Sequence, residues 1–204
     1  MTGAVTRESR VSREHVVDTA LRLIEECDVE ALTMRRLAGE LGTAVTAIYW
    51  HVGNRDALLD LMVERLVSDM SAVRVTGRTP RARIASVAQQ WRQRLWERPH
   101  LIAIAHQRGR TGAMFQPIQA ALATELAAVG LRGRRAALPV RALQFHVVAS
   151  VVMQRTAERS NHAEVTEPEQ PDDPELLAAL SSPPDYDAVF ELGLTALLDR
   201  LLSG

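Results

Sequence analysis

Between Leu32 and Leu59 the chain reads LTMRRLAGELGTAVTAIYWHVGNRDALL. The side chains here that could do chemistry form hydrogen bonds and stack; they are not nucleophiles. Thr46, Ala47, Tyr49, Trp50 and His51 fall on one side of a short helical pattern, with Val45, Ile48 and Val52 able to face inward. Two large aromatics on the outward face of so short a helix are costly if the helix serves only to fill a core. A phenol or an indole N–H held outward can reach a phosphate oxygen. The same rings can also pack against the helix that follows, and one ring can do both. No nucleophile–base pair, Gly-rich phosphate loop or paired metal ligands stands at diagnostic spacing. His15, His51, His100, His106, His146 and His162 are scattered, so an enzyme is not expected.

Two short helices must hold this face. Thr33 is a good N-cap, and Met34, Leu37, Ala38 and Leu41 follow at helical spacing. Gly42 sits just past the end, where a left-handed residue is easiest for glycine. Thr43 or Ala44 then opens the second helix, which runs through Trp50. Gly53-Asn54 breaks the chain, and a further helix runs from about Arg55 to Met70 through Leu58, Leu59, Met62 and Leu66. Upstream, Ser12 caps a helix with Val16, Val17, Ala20, Leu21 and Ile24 on one face, ending near Asp28. Two short helices on a tight Gly turn, braced by longer ones, form a helix-turn-helix unit over about 33–52. Its second helix must enter a groove about 12 Å wide.

The polar stretch from Ser71 to Thr79, followed by Pro80, reads as a domain boundary. Beyond it, a helix from about Arg81 to Trp96 carries Ile84, Val87, Ala88, Trp91 and Leu95 on one stripe. Seven Arg between 74 and 98 spread around the axis and read as a solvated face. Leu101–His106 is a short apolar stretch, and Phe115–Val129 is a helix. Ala136–Arg159 is apolar nearly all round, so it needs cover on several sides, from a bundle or a second subunit. Residues 160–174, acidic with three prolines, read as a loop. A last helix, Asp187–Leu202, carries Phe190, Leu194, Leu197, Leu198 and Leu201 on a stripe beside Gly193. It reads as a dimer seam, with a plain core helix as the alternative. The expected fold is all-α: an N-terminal three-helix domain over 10–70 and a C-terminal helical bundle over 80–204.

Composition narrows the class. The 204 residues are 47% hydrophobic, enough for a sizeable core and too apolar for a disordered chain. Formal net charge is -1, so binding to nucleic acid would rest on a few placed contacts, not on bulk charge. All 24 basic residues are Arg, which reads as coding bias. Cys27 stands alone and can form no internal disulfide. No stretch approaches the ~20 apolar residues of a membrane span, and the N-terminus has no signal-peptide core. A cytoplasmic protein with no membrane partner is expected. Arg7, Arg10 and Arg13, three apart, read as a solvated tail or a basic arm.

The residues Leu32-Thr33-Met34-Arg35-Arg36-Leu37-Ala38, Ile48-Tyr49-Trp50-His51-Val52, Asn54-Arg55 and Ala57-Leu58-Leu59 resemble the tetracycline-repressor family of transcriptional regulators. The likeness covers residues 10–70. A looser one is carried by Phe190-Glu191-Leu192-Gly193-Leu194 and Leu197-Leu198. It implies a homodimeric repressor that binds a palindromic double-stranded operator and is released by a small-molecule effector. By position, Thr33, Tyr49, His51 and Arg55 are implied phosphate-positioning groups, and Arg35 a base or phosphate contact. Val45, Thr46, Ala47 and Trp50 are implied to face base edges. Val45, Thr46 and Ala47 replace more polar or Pro-containing groups, and Val or Ala can offer apolar contact to a thymine methyl.

For the effector, the candidates are Trp91, His106, Met114, Phe115, Phe145, His146, Met153 and Gln154. A mostly apolar helical pocket with a few polar groups suits an apolar, drug-like ligand. His146 aligns with a pocket histidine of the family's namesake, where magnesium accompanies the drug. Gln154 stands where an acid would be sought, so no metal or cofactor is expected. The alternative function is a helical dimeric adaptor or ligand-binding protein without DNA binding.

Overall fold

The computed structural model describes residues 11–26, 29–159, 173–180 and 182–202. All the elements in it are helices: α1 (Arg13–Glu26), a short 3-10 turn (Val29–Ala31), α2 (Met34–Glu40), α3 (Val45–Val52), α4 (Arg55–Ser71), α5 (Pro80–Glu97), α6 (Pro99–Gln107), α7 (Thr111–Ala128), α8 (Arg134–Arg159), α9 (Pro174–Leu180) and α10 (Tyr186–Leu202). Arg7, Arg10, Cys27 and the acidic loop before Asp173 lie outside the described residues.

The chain divides into two compact units. One joins Met1–Asp69 to His100–Met114, and the other joins Met70–Pro99 to Phe115–Gly204. The single boundary expected between 70 and 80 is therefore crossed more than once. Most of α6 and the first turn of α7 belong with the N-terminal helices. Ion pairs show why. Arg108 forks onto Asp60 of α4 at 3.0 and 2.8 Å, and Arg110 lies 3.4 Å from Glu64 one turn further on.

In the first unit Ser12, Thr33 and Gly42 act as the sequence announces. The Ser12 hydroxyl accepts from the His15 N–H at 3.1 Å, and Thr33 accepts from the Arg36 N–H at 3.1 Å. Gly42 takes φ +60°, and the Thr43 N–H then donates back to the Ala38 carbonyl at 3.0 Å, which closes α2 in a Schellman-type turn. Asn54 Oδ1 accepts from the Ala57 N–H at 2.8 Å and starts α4. α3 opens at Ala44, one of the two residues expected, and has no side-chain cap bond because alanine carries no polar group. Leu37, Ile48, Leu58, Met62 and Leu66 are fully buried, each side chain contributing about 1.5–3 kcal/mol by transfer from water.

In the second unit α8 packs on both α5 and α10. The α5 stripe Ile84, Val87, Ala88, Trp91 and Leu95 is buried as expected. Phe190, Leu194 and Leu198 of α10 are buried too, so much of the stripe read as a dimer seam is core within one chain. Arg81, Arg83 and Arg92 pair with Asp199, Glu125 and Asp187, and do not form the free solvated face expected. α7 begins four residues before the expected Phe115, because the Arg110 carbonyl already accepts the Met114 N–H at 3.1 Å. That places Pro117 inside the helix. α9, not foreseen, is opened by Asp173, whose Oδ1 accepts the Leu176 N–H at 2.9 Å.

One described helix, α8, is long and apolar enough from Arg134 to Glu158 to cross a membrane by length and composition, where the sequence reading expects none. Its Leu143, Val147 and Val151 are buried in the bundle. Leu138, Phe145 and Val152, seven apart, face outward and are 76%, 73% and 46% exposed. Apolar on both sides, one turned to the core and one to solvent, the helix reads as continuously hydrophobic.

Candidate nucleic-acid interface

α3 is held from behind and bare in front. Ile48 and Val52 are buried, and α3 packs on α1 and α2. Arg13, at the start of α1, donates from Nε to the His51 carbonyl at 3.0 Å and so ties down the end of α3. On the outer side Trp50 is 83% exposed and Tyr49 48%, so neither ring is absorbed by packing on α4. The His51 ring meets the Trp50 ring edge-on, centroids 4.9 Å apart. Thr46 is exposed, and Val45 and Ala47 are partly so. Thr33 and Arg35 stand exposed at the start of α2. A groove of about 540 Å³ opens on this surface, with Arg35, Val45, Tyr49 and Arg55 on its walls and Glu30 as its acid.

Two predicted residues are used in ways the sequence does not announce. The Thr33 oxygen accepts the α2 cap bond, and its O–H stays free to donate. Arg55 has a second use. Its Nε donates to the Leu32 carbonyl at 3.1 Å and a terminal nitrogen to the Val29 carbonyl at 2.8 Å. The guanidinium expected on phosphate therefore also braces the start of α4 against the turn that leads into α2. Arg55 chemistry suits this, because a planar fork can satisfy two carbonyls at once.

Sequence reasoning also missed the clasp of Arg108 and Arg110 on α4. Asp56, Asp60 and Glu64 repeat every four residues along one face of α4, and the two arginines flank Gly109 in the turn after α6. The hydrogen bonds from Arg108 hold the Asp60 carboxyl below the usual carboxylate range, with the charges of Arg108 and Arg110 adding to the effect and partial burial opposing it. The i, i+4, i+8 acid spacing was legible; its partner was not.

The effector candidates fall in both units and differ in exposure. His106 is exposed, and it and Met114 belong to the first unit, the rest to the second. Phe145 and Met153 are 73% and 66% exposed, because they lie on the outward side of α8. His146 packs against α10: its ring stacks on Phe190 with centroids 4.9 Å apart, and Nε2 lies 2.9 Å from the Phe190 carbonyl. Gln154 accepts from Arg92 at 2.9 Å. Trp91 and Phe115 are both buried and meet edge-on at 5.6 Å. The Trp91 indole N–H is buried and has no acceptor among the described residues. No group of three or more His, Cys, Asp or Glu among the described residues is placed to hold a metal ion.

The family described as bacterial regulatory proteins, tetR family, matches residues 16–62, from α1 into α4. The class D tetracycline repressor protein of Escherichia coli is 42% identical over 60 residues, 29% of this chain and 28% of that protein, so that alignment spans less than a third of the relative. The class A tetracycline repressor protein from transposon 1721, also from Escherichia coli, is 29% identical over 195 residues, 91% of this chain and 88% of that one. The crystal structure of the Streptomyces coelicolor TetR family protein ActR in complex with actinorhodin matches with a TM-score of 0.68 at 26% identity, over 95% of this chain and 98% of that one. The all-helical fold is thus that of these regulators, and residues 16–62, which hold the braced helix-turn-helix, match the tetR family of bacterial regulatory proteins.

Proposed function

We propose that the chain is a transcriptional repressor that binds a palindromic operator as a homodimer and leaves it when a small-molecule effector binds. The observation that carries this reading is the outward face of α3, where Tyr49 and Trp50 stand exposed on a helix anchored from behind. Exposed aromatics on a rigid mount are a contact surface. Their sequence lies within the family match. In this reading Arg35, Thr46, Tyr49, Trp50 and His51 face DNA, and the Thr33 O–H donates to a phosphate. Arg55 acts indirectly, by fixing the angle at which α2 leaves the preceding turn.

A second copy of the chain is the natural cover for the outer side of α8. Leu138, Phe145 and Val152 repeat every seven residues, the spacing of a helix–helix seam. Val189 and Leu192 of α10 are also exposed, at 57% and 73%. Dimerisation would set two copies of α3 about one DNA turn, ~35 Å, apart. An effector that binds better to a differently spaced dimer lowers operator affinity by that difference. Trp91 and Phe115 are the effector candidates the reading keeps, since a buried donor without an acceptor invites a ligand carbonyl or hydroxyl.

The test is a mobility-shift assay on the DNA upstream of the chain's own gene, at low salt and without added ligand. Wild type is expected to shift it, and Tyr49→Ala and Arg35→Ala to lose the shift. No shift by the wild type would favour a helical dimer without DNA binding.

A further inference from the structure

The eight residues of α3, Val45-Thr46-Ala47-Ile48-Tyr49-Trp50-His51-Val52, include no Arg, Asn, Gln, Asp or Glu. Those are the side chains that pair with the major-groove edges of guanine, adenine and cytosine through directed hydrogen bonds. The N-terminus of α3 adds none, because Ala44 caps it with no side-chain hydrogen bond. Arg55 beside it is engaged by the carbonyls of Leu32 and Val29. Beside the Thr46 hydroxyl, the Tyr49 phenol, the Trp50 indole N–H and the His51 imidazole, what α3 presents is apolar: the Trp50 ring at 83% exposure, Tyr49 at 48%, the Thr46 methyl, and parts of Val45 and Ala47. The apolar feature that a major groove offers is the methyl group on pyrimidine C5.

We infer that α3 reads its operator by apolar contact with pyrimidine C5-methyl groups, so that thymine methyls set the base preference beneath this helix. Arg35 on α2, which lines the groove beside Val45 and Tyr49, is left as the near side chain able to make a two-pronged contact to guanine. The inference rests on the DNA-binding reading and is separable from it by experiment. Cytosine methylated at C5 offers the same group from another source, and the arms of the test tell the two apart.

The full-length protein is used to select a site from a random duplex library, and the selected duplex is remade with deoxyuridine for thymidine, one position at a time. Loss of one methyl is expected to weaken binding about fourfold, the weight of one buried CH2, and about fifteenfold when both symmetry-related positions change. Cytosine placed at a sensitive position is expected to bind more tightly once methylated at C5. Thr46→Ser keeps the hydroxyl and removes a methyl, so its thymine-to-uracil ratio is expected to fall towards one at some position. A selected duplex that binds tightly and is indifferent to uracil at every position overturns methyl reading and leaves DNA binding standing. A selection that enriches no sequence overturns both.

Discussion

Replacing Arg55 separates a structural brace from a phosphate contact. Its guanidinium makes two charge-assisted hydrogen bonds to main-chain carbonyls, at 3.1 and 2.8 Å, in a partly buried position. Hydrogen bonds from a charged group contribute about 1.5–3 kcal/mol each. With roughly half of that recovered by water at a partly exposed site, Arg55→Ala should cost about 2–3 kcal/mol. Arg55→Lys keeps the charge, but a single ammonium cannot take the place of the fork, so it should still lose about half of this. Each kcal/mol corresponds to about 2–4 °C in a protein of this size, so Arg55→Ala should melt about 4–12 °C lower, by differential scanning calorimetry. The companion measurement is operator affinity against salt. A lost phosphate contact lowers the log–log slope by about 0.9 per subunit, nearly two per dimer; a lost brace weakens binding with little change in slope. A melting temperature unchanged in both variants, with the slope of Arg55→Ala reduced by about two, would refute the brace.

Three further outcomes follow from the packing and the charges. A Cβ at Gly193 would lie 3.1 Å from His146 Nδ1 and 3.2 Å from Nε2, and closer still to the carbon between them. Gly193→Ala should therefore destabilise by about 1–3 kcal/mol in urea unfolding, and much less in a His146→Ala background, where the ring is gone. The Asp60 carboxyl, held below its ordinary range by Arg108, contributes stability that is complete above the unfolded carboxylate's pKa near ~4 and lost as pH falls through the lower folded value. Hydrogen exchange in 100–110 should thus be unchanged between pH 7 and 5 and accelerate, beyond the intrinsic pH effect, only in stronger acid; Asp60→Asn should show that acceleration already at neutral pH. Phe145→Asp puts a carboxylate twice into the proposed seam, at about 2 kcal/mol or more per copy, and should turn a dimer into a monomer in sedimentation velocity with its helical signal intact.

How far the sequence carried depended on whether the deciding contact was local. Ser12, Thr33 and Gly42 act within four residues of their own position, so the caps and the turn were legible. The buried stripes of α1, α2 and α5 were equally so, because one apolar face against polar surroundings leaves a single choice. α8 is apolar nearly all round, so periodicity could not say that Phe145 faces out while His146, its neighbour, packs against α10. That ambiguity accounts for most of the scatter among the effector candidates. The bracing bonds of Arg55 went unseen for a different reason. A cation opening a helix beside the candidate DNA surface reads as a phosphate contact, and nothing local to it reveals that two carbonyls from 23 and 26 residues upstream stand within reach. The pairing of Arg108 with Asp60 spans 48 residues and was out of sight in the same way.

The most direct measurement is fluorescence anisotropy of a labelled duplex from the chain's own upstream region, titrated with wild type and with Trp50→Ala, a change at an 83% exposed side chain that the fold does not need. Wild type is expected to saturate the duplex with two chains per site and to prefer it over unrelated DNA of equal length. Trp50→Ala is expected to keep its helical signal and melting temperature and to lose that preference. Equal binding of both duplexes by the wild type, or an unchanged preference in Trp50→Ala, would contradict the assignment of α3 as the DNA-reading helix.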